Sequence, residues 1–168
     1  MPSKLPSILI GGITYAVIGA IAGFLAQMGG GMQFVAGALA CLVAPIVGCG
    51  LAVWHYTTTH QLTIAAGQGA GLGAAAGILG GLVGWVLQQL FVAAGLLLGP
   101  AEQARRQVEA QGLSGEQAEQ AVQFAETFSG PLGIVIGLVI AAVLGAIIGA
   151  IAAVIFKKGA DDELVTEL

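Results

Sequence analysis

Four long apolar stretches divide the chain, and only one substantial polar segment interrupts them. A hydrocarbon core of about 30 Å takes roughly 20 helical residues. On that measure the spans fall at about 8–28, 34–56, 64–90 and 132–156. The triple glycine of GGGMQ, residues 29–33, ends the first span in a tight turn. Pro45 stands near the middle of the second span, where it removes a backbone donor and predicts a kink. TTTHQLT, residues 57–63, reads as a short polar connection.

The third apolar run continues from Ile64 to Leu98 and is too long for one upright crossing. Either the helix tilts or it leaves the membrane near Gln88 and Gln89. The second reading is preferred, because two neighbouring amides are costly in hydrocarbon without partners. Residues 90–99, LFVAAGLLLG, then lie at the interface or against protein.

The polar segment, 100–129, predicts two helices outside the lipid. Pro100 suits a first helical turn. Glu102–Arg106 and Arg105–Glu109 stand at i,i+4 spacing. QGLSG breaks the segment, and Ser114 with Gln117 reads as a capping box. In the second helix Ala118, Ala121, Val122, Ala125 and Phe128 share a face. This amphipathic hairpin is short of large apolar residues and needs something to lie on: the bundle end, the membrane surface or a partner. Leu96, Leu97, Leu98, Phe124 and Phe128 are the candidate partner contacts.

Inside the spans the small residues keep a stride of four. The third carries Gly69, Gly73, Gly77 and Gly81, and the fourth Gly133, Gly137, Ala141, Gly145, Gly149 and Ala153. The second carries Ala36, Ala40, Ala44, Gly48 and Ala52, and the first has Gly12, Ala16, Ala20, Gly19 and Gly23. In lipid the hydrophobic effect does not drive helices together, so association relies on close van der Waals contact, and small residues gather where helices touch. Gly69, Gly73, Gly77, Gly81, Gly133, Gly137, Gly145 and Gly149 are therefore the expected helix-packing positions.

Composition supports this fold class: an all-α, polytopic membrane protein of four transmembrane helices with an extramembrane helical hairpin between the third and fourth. Of 168 residues 57% are hydrophobic and 8% charged, and the mean hydropathy is +0.95. A soluble domain carries about a quarter charged residues. The formal charge of −4 argues against nucleic acid as a partner. Lys4 followed by an apolar run superficially matches a signal peptide, but the length of that run favours an uncleaved span. The sequence after Phe156, FKKGADDELVTEL in full, predicts a helix stop at Lys157, Lys158 and Gly159 and an acidic tail over 159–168. Lys4, Lys157 and Lys158 on the terminal side slightly outweigh Arg105 and Arg106 opposite, which five glutamates accompany. The bias places both termini in the cytoplasm and the hairpin outside, with Trp54 and Tyr56 as an interfacial anchor.

Candidate chemistry is sparse. Asp, Glu, Lys and Arg are missing from the spans, which counts against a pump or coupled transporter. GAGLGA, residues 69–74, matches a dinucleotide fingerprint only formally, since neither a strand nor a downstream acid accompanies it. No serine pairs with a histidine in a recognisable pattern. His55 and His60, five apart, read as interface residues satisfied by water or headgroups. No catalytic residue, cofactor or metal is expected. Cys41 and Cys49, eight apart, read as small packing residues.

The layout resembles a group of uncharacterised bacterial four-span membrane proteins. The features are a Gly-rich first span, a second ending VGCGLAVWHY, a third opening GQGAGLGAAAGILGGLVGWV, a polar insert, and a last span ending GAIIGAIAAVIFKK. That resemblance implies the bacterial cytoplasmic membrane and brings no activity or site. The function expected is non-catalytic: an accessory or scaffolding subunit in contact with lipids and packing against other membrane chains. The alternative is a small homo-oligomeric channel or uncoupled carrier lined by glycine backbone and glutamine. A membrane enzyme using His55 and His60 would instead carry a bound metal or chromophore.

Overall fold

A computed structural model describes residues 2–112 and 114–156, and every regular element among them is helical. The elements are α1 (Leu5–Ala26), α2 (Gly31–Ala38), a π-helical turn (Leu39–Val43), α3 (Ala44–His60), α4 (Ala66–Ala93), α5 (Pro100–Ala110), α6 (Glu116–Ser129) and α7 (Pro131–Ile155). Four rods are long and apolar enough to cross a membrane: α1, the continuous Gly31–His60 unit, α4 and α7. The anticipated stop at Lys157–Gly159 and the acidic tail lie outside the described residues.

The turn after α1 is made by Gly29 and Gly30, whose φ values of 69° and 56° suit glycine. At Pro45 the rod stays helical, and a π turn ends two residues before it. A proline ring collides with the carbonyl four residues back, here Cys41, and a wider turn at Leu39–Val43 accommodates both the ring and the missing donor. The TTT stretch is not a connection. α3 runs through it, and the Thr57 hydroxyl bonds back to the carbonyls of Val53 and Trp54, both at 3.0 Å. The helix stops at Gln61, the one described non-glycine residue with positive φ, at 49°.

α4 continues past Gln88 and Gln89 to Ala93 and ends where Gly95 adopts φ 70°. α5 opens on Pro100 and carries the Glu102–Arg106 pair at 3.8 Å, the only ion pair among the described residues. Arg105 and Glu109 do not pair. The capping box also fails: Gly115, at φ 66°, caps α6 and no side chain bonds its first turn. α5 and α6 touch each other, and Ala104 and Val108 are buried.

The four rods alternate in direction. α4 is central and contacts α1, α3 and α7, whereas α1 and α7 share no contact among the described residues. Much of the core is made of small side chains, beside one buried cluster that includes Val53, Tyr56, Ile64 and Leu72. Ala52, Ala76 and Cys49 are fully buried, with Ala16, Ala44 and Ala153 at 1% exposure. Large apolar residues look outward: Val17, Ile21, Val139, Val143, Ile147 and Ile151 are about half exposed. This inverts the arrangement of a water-soluble protein, where the largest apolar side chains fill the interior. It suits a chain whose outside is solvated by hydrocarbon and whose helices gain contact by approaching closely.

Candidate functional site

Two antiparallel seams hold the rods, and they repeat one contact. A methyl group placed on Gly69 would meet the Gly149 carbonyl oxygen and lie 2.5 Å from the Ala153 β-carbon. One placed on Gly11 would lie 2.5 Å from the Gly48 carbonyl oxygen and 2.6 Å from the Ala52 β-carbon. The stride Gly69, Gly73, Gly77, Gly81 in α4 thus corresponds to Gly11, Tyr15, Gly19, Gly23 in α1. Likewise Ala141, Gly145, Gly149, Ala153 in α7 corresponds to Ala40, Ala44, Gly48, Ala52 in α2 and α3.

The α4–α7 seam closes along its length. A β-carbon at Gly73 would overlap the Gly145 carbonyl, and one at Gly77 would overlap that of Ala141. At Gly81 it would approach Leu138 at 3.1 Å. Of the packing positions expected in α7, Gly145 and Gly149 are therefore at the seam. Gly133 is not: a side chain there would strike the Phe128 carbonyl, so it serves the tight turn from α6 into α7. Gly137 is exposed, with open space around it. Gly137 still borders the space between α4 and α7, but there the two helices have parted.

The first seam opens halfway. At Gly48 it is tight, since a methyl group there would lie 2.7 Å from the Tyr15 β-carbon, but Gly19 and Gly37 have nothing within 4 Å. The two causes lie side by side. Tyr15 stands where its counterpart in α4 is glycine, and its ring is wedged towards Gly80. The π turn before Pro45 inserts a wider turn into the second rod and so interrupts its stride of four. Between α1, α2 and α4 this leaves a cleft of about 430 Å³, walled chiefly by Gly19, Ala20, Gly23, Gly37, Ala40 and Gly84. Gln33, Gln88 and Gln103 also reach it. A second cleft of about 330 Å³, between α4 and α7, holds Gln88, Gln89, Trp85, Phe128 and Gly137. Tyr15 borders both.

The segment after α4 caps the first cleft. The Leu98 N–H donates to Gln27 Oε1 at 3.0 Å, and Gln103 Nε2 donates to the Leu98 carbonyl at 2.8 Å. Leu97, expected at a partner's surface, turns inward at 7% exposure and closes the cleft beside Phe91. Leu96 points outward at 58%, and Leu98 is half-buried. The Phe24 and Phe91 rings meet across α1 and α4 with centres 5.2 Å apart and planes tilted by 56°. Phe124 and Phe128 are both exposed on α6.

The opposite end of the bundle holds a polar clamp. The Ser7 hydroxyl lies 2.9 Å from His55 Nδ1, joining α1 to α3. One ring nitrogen of half-buried His55 is thus partnered by a serine. Ser7 is 1% exposed. Tyr56 is not an interfacial anchor. At 3% exposure it packs with Val53, Ile64 and Leu72, its hydroxyl 3.5 Å from the Pro2 carbonyl, while Trp54 remains exposed. The His60 ring stands edge-on to Tyr56, at 5.1 Å between centres. Among the described residues no group of three His, Cys, Asp or Glu is placed to hold a metal ion. A Ser7→Ala, His55→Ala double-mutant cycle should return a coupling of about 1 kcal/mol in a detergent unfolding titration. A coupling indistinguishable from zero would mean that the bond contributes nothing to the clamp.

Sequence pattern does not single out Gln27, Ser7 or Tyr15 as site residues. For Tyr15 a signal is nevertheless present: it is the one large residue on the four-residue stride from Gly11 to Gly23. Ser7–His55 and Gln27–Leu98 join residues 48 and 71 positions apart, a relation no local pattern carries.

No protein-family model matches this chain, and comparison with curated proteins and with solved structures returns no match.

Proposed function

We propose that the protein is a non-catalytic integral membrane subunit that receives a transmembrane helix of another membrane protein in the cleft between α1, α2 and α4. The observation that carries this reading is the half-opened seam. In the second hairpin the backbone of α7 fills the groove at Gly77, whereas the corresponding groove at Gly19 is left open by the chain itself. Glycine and alanine walls let a foreign helix approach to backbone contact, the mode of association favoured in lipid.

The same reading sets α1, α2–α3, α4 and α7 across a bilayer, with α5 and α6 outside the hydrocarbon. A core of about 30 Å takes some 20 of the 28 residues of α4. Gln88 and Gln89 then fall near its edge. The slight positive bias of the terminal side assigns both termini to the cytoplasm of a bacterial cell.

The test is co-purification from native membranes in mild detergent. The Gly19→Leu, Gly23→Leu double variant fills the cleft and leaves the Gly73–Gly145 seam untouched. It should keep its own thermal stability and lose at least about tenfold of its co-purifying membrane protein, the equivalent of about 1.4 kcal/mol. Unchanged co-purification from a folded variant would remove the cleft as the docking place.

A channel or uncoupled carrier remains the second reading, favoured by the glutamines of the two clefts. The buried layer of Cys49, Ala52 and Ala76, each at 0% exposure, favours a pore between several copies over one through a single chain. Solute flux through vesicles containing only the pure protein would favour it. Silent vesicles together with a stable foreign partner favour the subunit.

A further inference from the structure

The α6 helix carries an apolar face that no other part of the described chain covers. Phe124 and Phe128, one turn apart, stack at 4.2 Å between ring centres and are 64% and 43% exposed. α6 turns a different side to α5: Ala118, Val122 and Glu126 border the groove beside Val108 and Arg105. At 3.6 residues per turn, Glu119 and Glu126 project roughly opposite to Phe124, and Glu116 lies at the flank of the aromatic face. Gln117 and Ala121 complete it.

The position of this face in the chain is what identifies its occupant. Only Ser129 and Gly130 separate Phe128 from Pro131, the first residue of α7. The next outward residues, Leu132, Val135 and Val139, are each more than half exposed. The Gly133 turn, with no room for a β-carbon against Phe128, keeps the last turn of α6 folded tightly against the first turn of α7. The aromatic pair is therefore held beside the first turn of α7, the start of a candidate span, with Phe128 also at the edge of the second cleft. Leu96 and Phe34, 58% and 84% exposed, belong to the same end of the bundle.

From this arrangement we infer that α6 lies on the membrane, with Phe124 and Phe128 inserted among the lipid headgroups and upper acyl carbons and its glutamates turned to water. An amphipathic helix with a charged side and aromatic residues opposite binds an interface in this way. Its short apolar side is then covered by the bilayer rather than by a protein core. The inference rests on the membrane-spanning reading above.

The experiment uses the full chain, purified and reconstituted alone into phosphatidylcholine vesicles. Spin labels are placed singly at Phe124→Cys, Phe128→Cys, Glu119→Cys and Glu126→Cys, with Ile147→Cys on α7 as the lipid reference, all in a Cys41→Ala, Cys49→Ala background. Collision with oxygen, which partitions into lipid, is compared with collision with a water-soluble nickel chelate. The expected ratio is several-fold higher at 124 and 128 than at 119 and 126, and approaches that at 147. Equal chelate exposure at 124 and 119, with 147 still lipid-exposed, would overturn the inference and leave the spans standing. Positions 124 and 128 shielded from both reagents would mean that protein covers the face, which also overturns it. Chelate exposure at 147 would overturn the membrane reading beneath it.

Discussion

Gly145→Leu should abolish the folded bundle, with a loss of at least about 3 kcal/mol in a detergent unfolding titration. Overpacking a core usually costs about 1–3 kcal/mol because neighbouring side chains yield. At Gly145 the obstacle is backbone: a β-carbon would overlap the carbonyl of Gly73 and lie 2.9 Å from its carbonyl carbon. α4 cannot retreat without giving up Gly69–Gly149 and Gly77–Ala141 on either side. Even Gly145→Ala should be measurably destabilising. The control lies eight residues away on the same helix. Gly137 faces open space, so Gly137→Ala should be neutral or, through helix propensity, stabilising by up to about 1 kcal/mol. Equal effects at 145 and 137 would show that the four-residue stride itself, rather than contact, governs stability.

Tyr15→Ala should cost about 2–3 kcal/mol, at the low end for removing a ring because Tyr15 is only half-buried. The ring lies against Gly80, and its β-carbon packs against Gly48, so the side chain locks α1 to α3 and α4. Removing it joins the two clefts that it now separates. Tyr15→Phe should change stability by less than about 0.5 kcal/mol, because the phenol hydroxyl makes no hydrogen bond among those described. A Tyr15→Ala protein as stable as the parent would mean that the first hairpin closes when the wedge is gone, with α2 moving onto Gly19. Solvent or lipid access at Gly19 would then fall.

These two residues also mark how far the chain was legible in advance. The four long apolar helices, each able to cross a membrane, were readable from length and apolarity, because lipid imposes a minimum helix length and excludes charge. The stride of four located Gly69, Gly73, Gly77 and Gly81 on a contacting face, but it could not say where along α7 the contact ends. Gly137 keeps the stride and makes no contact, because crossing helices part as they leave the point of closest approach. Tyr56 was misplaced for a different reason. An aromatic residue at a span end suits an interface and a buried cluster equally well, and only its neighbours Val53, Ile64 and Leu72 decide between them. The threonines at 57–59 look like a loop by composition. In α3, however, the Thr57 hydroxyl is satisfied within the helix, so the helix passes through. The cleft was invisible in the sequence because it arises from a difference between two similar seams, created by one tyrosine and one proline.

The account depends on α4 and α7 meeting backbone to backbone, and disulfide formation in native membranes tests this most directly. In a Cys41→Ala, Cys49→Ala background, cysteines replace Gly81 and Ala141, whose β-carbon positions lie 3.8 Å apart, a spacing that suits a disulfide. The paired control replaces Leu82, which is exposed, and Ala141. Mild oxidation should link positions 81 and 141 within one chain rapidly and nearly completely, and should leave 82 and 141 largely unlinked. Equal linking of both pairs, or none at 81 and 141 in a folded protein, would contradict the seam.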